Sequence, residues 1–257
     1  MTAAADQPLA GRRVLVLRAP AQAAALSARI RALGGEPVEA PVLRFEPGDH
    51  DRMVAAAREL AEGGFAVLCL TSPNGVEALA RALVDAGVDA DAAADGTLVA
   101  CVGPGTAAAL TATLGIEADL VPDRATTEAL GHAIPPGRGR ALLARADIAN
   151  PVLSELLAAK GYEPVEVTAY RTRTASALPD RVLADLAAGR VDLVAFGSSS
   201  TVRAFVELVG DRPWRAAAAS IGPVTSATCR ELGVEVAVEA DHHDLDGLVA
   251  ALVRAAA

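Results

Sequence analysis

Short unbroken apolar runs alternate with stretches of helical period along most of the chain. "RVLVLR" from Arg13 onward reads as a buried strand, and residues 21–33 read as an amphipathic helix stopped by Gly34 and Gly35. "PVEAPVL" predicts a second strand. "FAVLCL" predicts a third, feeding a helix over 75–86; "LVACVG" predicts a fourth, feeding 106–114; "ADLV" predicts a fifth ahead of a helix near Thr127. Strands that are apolar throughout, rather than alternating, belong to a parallel sheet covered on both faces. The fold class expected is α/β.

The pattern then repeats. "GGEPVEAPVLRF" from Gly34 returns as "GYEPVEVTAYRT" from Gly161, and "GRRVLVLRA" returns at the same offset as "RGRALLARA", which sets Arg18 against Arg145. "FAVLCLTSPNGVEAL" is answered by "VDLVAFGSSSTVRAF", and "ACVGPGTAAALTATLGIEADLV" by "ASIGPVTSATCRELGVEVAVEA". A period of half the chain is too long for a solenoid unit and indicates a duplicated domain. Two similar doubly wound parallel-sheet domains, flavodoxin-like or Rossmann-like, are therefore expected. The repeated phrase is extended and exits through Pro41 and Pro47, so its two copies suit a two-stranded linker. Residues 1–40 with 173–257 then form one domain, 46–168 an inserted second, and 41–45 and 169–172 the linkers.

Composition narrows the function. Apolar residues make up 52% of 257, enough for sizeable cores, and no apolar run is long enough to span a membrane. The opening "MTAAADQPLAGRR" lacks the basic-then-apolar order of a signal peptide, so a cytoplasmic protein is expected. Cys69, Cys101 and Cys229 lie inside apolar runs without paired spacing and read as buried free thiols. A net charge of −9, with one Trp, two Tyr and four Phe, argues against nucleic acid and anionic membranes as partners. Any anionic ligand must be held by local features.

Four strand-to-helix turns supply such features: "TSPNG", "VGPGT", "GSSST" and "IGPVT". Helix N-termini at the carboxyl ends of strands present unpaired amides, which bind carboxylates or phosphates without net positive charge. The candidates are Thr71, Ser72, Asn74, Gly103, Thr106, Ser198, Ser199, Ser200, Gly222 and Thr225. Ser72, Asn74, Thr106, Ser200 and Thr225 each read alone equally well as ordinary N-caps; the four turns together favour ligand contact. Arg18 and Arg145 end equivalent strands and are expected to face a cleft between the domains, with solvated strand ends as the alternative. Without GxGxxG or a Walker lysine, no nucleotide cofactor is expected. His242-His243 has no partners at metal-site spacing, and no metal is expected. Tyr170 replaces the apolar Leu43 of the first copy: either a packing aromatic, or a phenol placed to donate a proton to a leaving oxygen.

These residues together resemble the uroporphyrinogen-III synthase family: "TSPNGV", "VGPGTAAAL", the tyrosine of "VTAYRT", "VAFGSSSTVRAF" and "IGPVTSATCRELG" stand in the family's order over about residues 11–252. The resemblance implies a cofactor-independent, monomeric lyase that cyclises hydroxymethylbilane, a linear octacarboxylate, with loss of water and inversion of ring D. It implies that Tyr170 assists departure of the hydroxyl and that Ser198, Ser200 and Thr225 line the site. A transient hand-over from hydroxymethylbilane synthase is the one protein contact it suggests. Relatives often carry Thr at the position of Gly197 and a small residue near His242-His243, and no DNA-binding extension is expected after Leu252. The reading from another class is a non-catalytic two-domain binder or sensor of a small polycarboxylate.

Overall fold

The computed structural model describes residues 7–257. From the amino end the chain forms β1 (Arg13–Val16), α1 (Pro20–Ala32), β2 (Glu36–Glu39), β3 (Leu43–Pro47), α2 (His50–Ala61), β4 (Val67–Leu70) and α3 (Pro73–Ala86). There follow α4 (Ala90–Ala94), β5 (Leu98–Cys101), α5 (Pro104–Leu114), α6 (Thr127–Ala133), β6 (Gly139–Ala146), α7 (Val152–Ala159) and β7 (Tyr162–Thr174). The last third holds α8 (Asp180–Ala187), β8 (Leu193–Phe196), α9 (Ser199–Val209), β9 (Ala217–Ser220), α10 (Pro223–Glu231), β10 (Val236–Glu239) and α11 (Leu245–Ala256).

Packing divides the chain into two units: Phe45–Thr172, and Met1–Arg44 with Arg173–Ala257. The discontinuous unit has the strand order β10-β9-β8-β1-β2, every neighbouring pair parallel. Counted within the unit this is the flavodoxin-like order, whose topological switch point lies between β1 and β8. The inserted unit has the order β3-β7-β6-β4-β5, with β7, β6, β4 and β5 parallel to one another. Its switch point lies between β6 and β4. Strands β6 and β7 are the sequence equivalents of β1 and β2, so each sheet combines the opening strands of one repeat copy with the later strands of the other. The chain crosses between units inside β3 and inside β7, two neighbours in one sheet.

Burial explains why the central strands are apolar throughout. Leu68 and Leu70 of β4 enter one core, with Met53, Leu79 and Leu142, while Val67 and Cys69 enter another with Leu130 and Leu153. In the discontinuous unit Val194 and Phe196 of β8 face one core, and Leu193 and Ala195 the opposite one. Each fully buried Leu or Val contributes roughly 1.5–3 kcal/mol. The three cysteines are free and buried, and burial pushes Cys69 up to about 12 and Cys101 and Cys229 up to about 11.

Two local expectations change. The stretch "PVEAPVL" is not one strand but the end of β2 and the start of β3, because Pro41 has no N–H to donate to the ladder. "ADLV" reduces to a single parallel bridge between Ala100 and Leu120, with Pro122 close behind.

Candidate active site

In the inserted unit the turns after β4 and β5 begin helices side by side at the carboxyl edge of the sheet. Ser72 caps α3, its Oγ accepting from the Gly75 amide at 3.1 Å, which leaves the hydroxyl proton free to be donated elsewhere. Gly75 is required at this place by space: a Cβ there would lie 2.8 Å from the Ala144 carbonyl oxygen of β6. The first turn of α3 can therefore sit directly on the end of the neighbouring strand.

Tyr170 arrives from the other side. Its register against β6 slips, since Arg145 pairs with Thr168 and Ala146 with Tyr170, leaving Ala169 as an extra residue. A bulge of this kind re-aims the side chains that follow it. Half-buried, the Tyr170 ring meets Phe45 edge-on at 5.5 Å and packs against the core of Leu70 and Leu79. Its hydroxyl meets the side chains of Ser72 and Asn74. Burial raises the phenol pKa above its ordinary 10, and the nearby Asp147 charge adds to this; Ser72 and Asn74 oppose it. Three residues singled out in the sequence are thus brought together, and the phenol is held neutral.

The two equivalent arginines part company. Arg145 is buried, its side chain 6% exposed, with Nη2 3.3 Å from Glu166 Oε2 and donating to the Ala149 carbonyl at 3.3 Å. Instead of an open guanidinium offered to a ligand, it is a buried one already paired with the part-exposed Glu166. Arg18 is half-buried and makes no hydrogen bond or ion pair among the described residues; burial lowers its pKa. The equivalent glutamates also differ in their surroundings. Glu39, the counterpart of Glu166, accepts from Ser27 Oγ at 2.5 Å and stands 3.9 Å from Arg31, whose own counterpart is Ala158. Where Arg31 engages the glutamate, the strand-end arginine is left alone.

Arg18 reaches the switch point of its sheet, where the position of a Cβ on Gly197 would be 4.0 Å from its Cδ and Nε. Beside it Ser198 caps α9, accepting from the Thr201 amide at 3.2 Å and meeting Ser200 Oγ at 3.0 Å. Ser199 differs from the expectation: its hydroxyl donates to the Val224 carbonyl at 3.2 Å and stands 2.8 Å from Thr228 Oγ1, tying α9 to α10. Gly103 and Gly222 precede α5 and α10 in extended backbone, and crowding rather than strain keeps them small. A Cβ at Gly103 would meet Ala125, and one at Gly222 would meet the His243 ring, both at 2.8 Å. Thr71 is half-buried at the end of β4, while Thr106 and Thr225 are buried in the first turns of α5 and α10.

Sequence reasoning missed the seat of His243 against Gly222, although the unusual His-His pair was a signal. It also missed a concavity of about 910 Å³ at the opposite edge of the inserted sheet, lined by Asp91, Asp95, Glu117 and Asp119. Its carboxylates make it a poor receptor for an anion. Among the described residues no group of three or more His, Cys, Asp or Glu could hold a metal, and no helix is long and apolar enough to cross a membrane.

Comparison with known proteins assigns the family. The family model described as uroporphyrinogen-III synthase HemD matches residues 24–250. The chain belongs to the uroporphyrinogen-III synthase family. It is 36% identical to the uroporphyrinogen-III synthase of Synechococcus elongatus over 96% of this chain and 97% of that one, and 28% identical to that of Chlorobaculum parvum over 94% and 98%. Among solved structures, a substituted uroporphyrinogen III synthase from Thermus thermophilus aligns with a TM-score of 0.67 at 26% identity, covering 95% of this chain and 98% of that one. The Helicobacter pylori enzyme aligns at 0.62 with 16% identity, over 95% and 98%, a likeness of fold. These alignments run across both units of the chain.

Proposed function

We propose that the protein cyclises hydroxymethylbilane to uroporphyrinogen III, with Tyr170 as the proton donor to the departing hydroxyl. The observation that carries this is the neutral, half-buried phenol seated against Ser72 and Asn74 at the first turn of α3. With the pKa held above 10 by burial, the group keeps its proton through the physiological range and can act as an acid.

The chemistry asks little else of titratable groups. The pyrrole nitrogen lone pair expels the hydroxyl, which takes the Tyr170 proton and leaves as water. The resulting electrophilic methylene is attacked by the substituted carbon of ring D, forming the spiro intermediate that fragments and recloses with ring D inverted. The final loss of a proton from the ring carbon restores the phenol, so atoms and charge balance without a cofactor. Holding ring D in the attacking geometry is the protein's main contribution.

Each unit carries donors suited to a carboxylate. Arg18, beside Gly197, supplies a guanidinium uncommitted among the described residues, and the first turns of α3, α5, α9 and α10 supply amides. With net charge −9 the whole-molecule field repels an octacarboxylate, so these local donors carry the binding. Acting as a cytoplasmic monomer, the enzyme would take its unstable substrate directly from hydroxymethylbilane synthase. Hydroxymethylbilane closes unaided to the symmetric type I isomer. Addition of the protein, without metal or nucleotide, should yield the type III isomer after oxidation and chromatography; type I product alone from folded protein overturns the reading.

A further inference from the structure

The aim of Tyr170 depends on a bulge, and that bulge has a clamp far away in sequence. The slip against β6 falls at Thr168–Tyr170, with Ala169 the extra residue. The loop between β3 and α2 meets this bulge: the Gly48 amide donates to the Ala169 carbonyl at 3.2 Å and the Asp49 amide to the Thr168 carbonyl at 2.7 Å. Two residues beyond Ala169, Arg171 Nη1 donates back to the Pro47 carbonyl at 3.0 Å. The approach is so close that any Cβ at position 48 would lie 1.9 Å from the Thr168 carbonyl oxygen. Gly48 is not in the left-handed region, so space and not backbone torsion is what demands glycine here. Asp49 serves a second purpose, its carboxylate capping α2 through the Arg52 amide at 3.3 Å.

We propose that Gly48 and Asp49 are positioning residues for Tyr170: their two amides fix the Thr168–Ala169 bulge, and the bulge sets the phenol against Ser72 and Asn74. This rests on the reading of Tyr170 as the proton donor. The amides touch neither substrate nor reacting atoms; they act through the strand. A clamp that served folding alone would affect stability and leave the environment of the phenol untouched, and this difference makes the idea testable.

The chain has only two tyrosines, so ring-labelled protein gives two resonances, assigned with Tyr170→Phe. Gly48→Ala forces the loop off the bulge. Asp49→Pro removes one donated N–H without adding bulk at position 48, and serves if the alanine variant does not fold. Asp49→Ala loses the helix cap and keeps the amide. In both Gly48→Ala and Asp49→Pro the titration of Tyr170 should fall back toward the ordinary tyrosine value, kcat should drop about tenfold with KM within about twofold, and adding Tyr170→Phe should cost nothing more. Asp49→Ala should lower the melting temperature and leave the titration in place. Folded Gly48→Ala and Asp49→Pro proteins in which the Tyr170 titration does not move overturn the proposal. A titration that moves while turnover holds supports the clamp and removes the acid role from Tyr170.

Discussion

Leu43 and Tyr170 occupy the same place in two copies of one phrase, and their surroundings show how a duplicated segment acquired separate duties. In the first copy Pro41 interrupts the ladder; Ala40 and Val42 donate to Val16 and Leu17 on either side of it, and Leu43 settles against the core of Leu178 and Phe196. In the second copy Thr168 stands where the proline was, β7 runs on for thirteen residues, and the irregularity becomes a bulge held by Gly48 and Asp49. The same break in pairing thus disposes of a proline in one copy and aims a phenol in the other. The arginines divide similarly. Arg145 has Glu166 to itself, whereas Glu39 is occupied by Ser27 and Arg31, and Arg18 remains uncompensated among the described residues. A half-buried cation without a partner is costly unless a ligand supplies one.

The largest effect should come from the lone arginine. Arg18→Ala is expected to lower kcat/KM about 10–100-fold, the worth of one charge-assisted hydrogen bond, mostly through KM. Its melting temperature should stay near wild type; a large drop would mean that Arg18 has a structural partner after all. Arg145→Ala should behave in the opposite way, costing about 1–3 kcal/mol in denaturant unfolding, mainly because the packing of a buried side chain and its bond to the Ala149 carbonyl are lost. Equal kinetic losses in the two variants would erase the distinction between the copies.

A smaller effect concerns alkaline pH. Tyr170 has a raised folded pKa, so the stability linked to it is fully present below the ordinary 10 and is lost as pH rises through the folded value. The buried thiols at about 11 and 12 act in the same direction. Tyr170→Phe should therefore flatten the fall in stability above the ordinary tyrosine value, measured by denaturant titration at several pH values. Turnover from mildly acidic to mildly alkaline pH should show no limb from this phenol. Smallest of all is Leu43→Phe, which changes an apolar side chain half-buried against a core and should leave turnover within about twofold of wild type.

Much of this was legible in the sequence because it is local or periodic. Unbroken apolar runs identify β4 and β8 as central parallel strands, and the hydroxyl-bearing turns after them mark where helices begin. The convergence of Tyr170 with Ser72 and Asn74 could be suspected, since all stand at the carboxyl edge of one sheet. The inequality of Arg18 and Arg145 was not foreseen, although one difference that accompanies it, Arg31 against Ala158, is visible when the two copies are aligned. Reading it required knowing that helix α1 lies close enough for Arg31 and Ser27 to reach Glu39. The hold of Gly48 on Thr168 joins residues that share no motif, and only tertiary structure reveals it.

The central claim is that the second copy carries a tyrosine because the phenol donates a proton to the leaving hydroxyl. Single-turnover rates of Tyr170→Phe with excess enzyme over hydroxymethylbilane test it most directly, since they isolate chemistry from product release. The account predicts a loss of about tenfold or more, less than a full general-acid contribution because the pyrrole nitrogen drives much of the ionisation. The product should still be the type III isomer and the melting temperature nearly unchanged. A Tyr170→Phe enzyme that keeps the wild-type single-turnover rate would contradict the claim and make Tyr170 a packing aromatic.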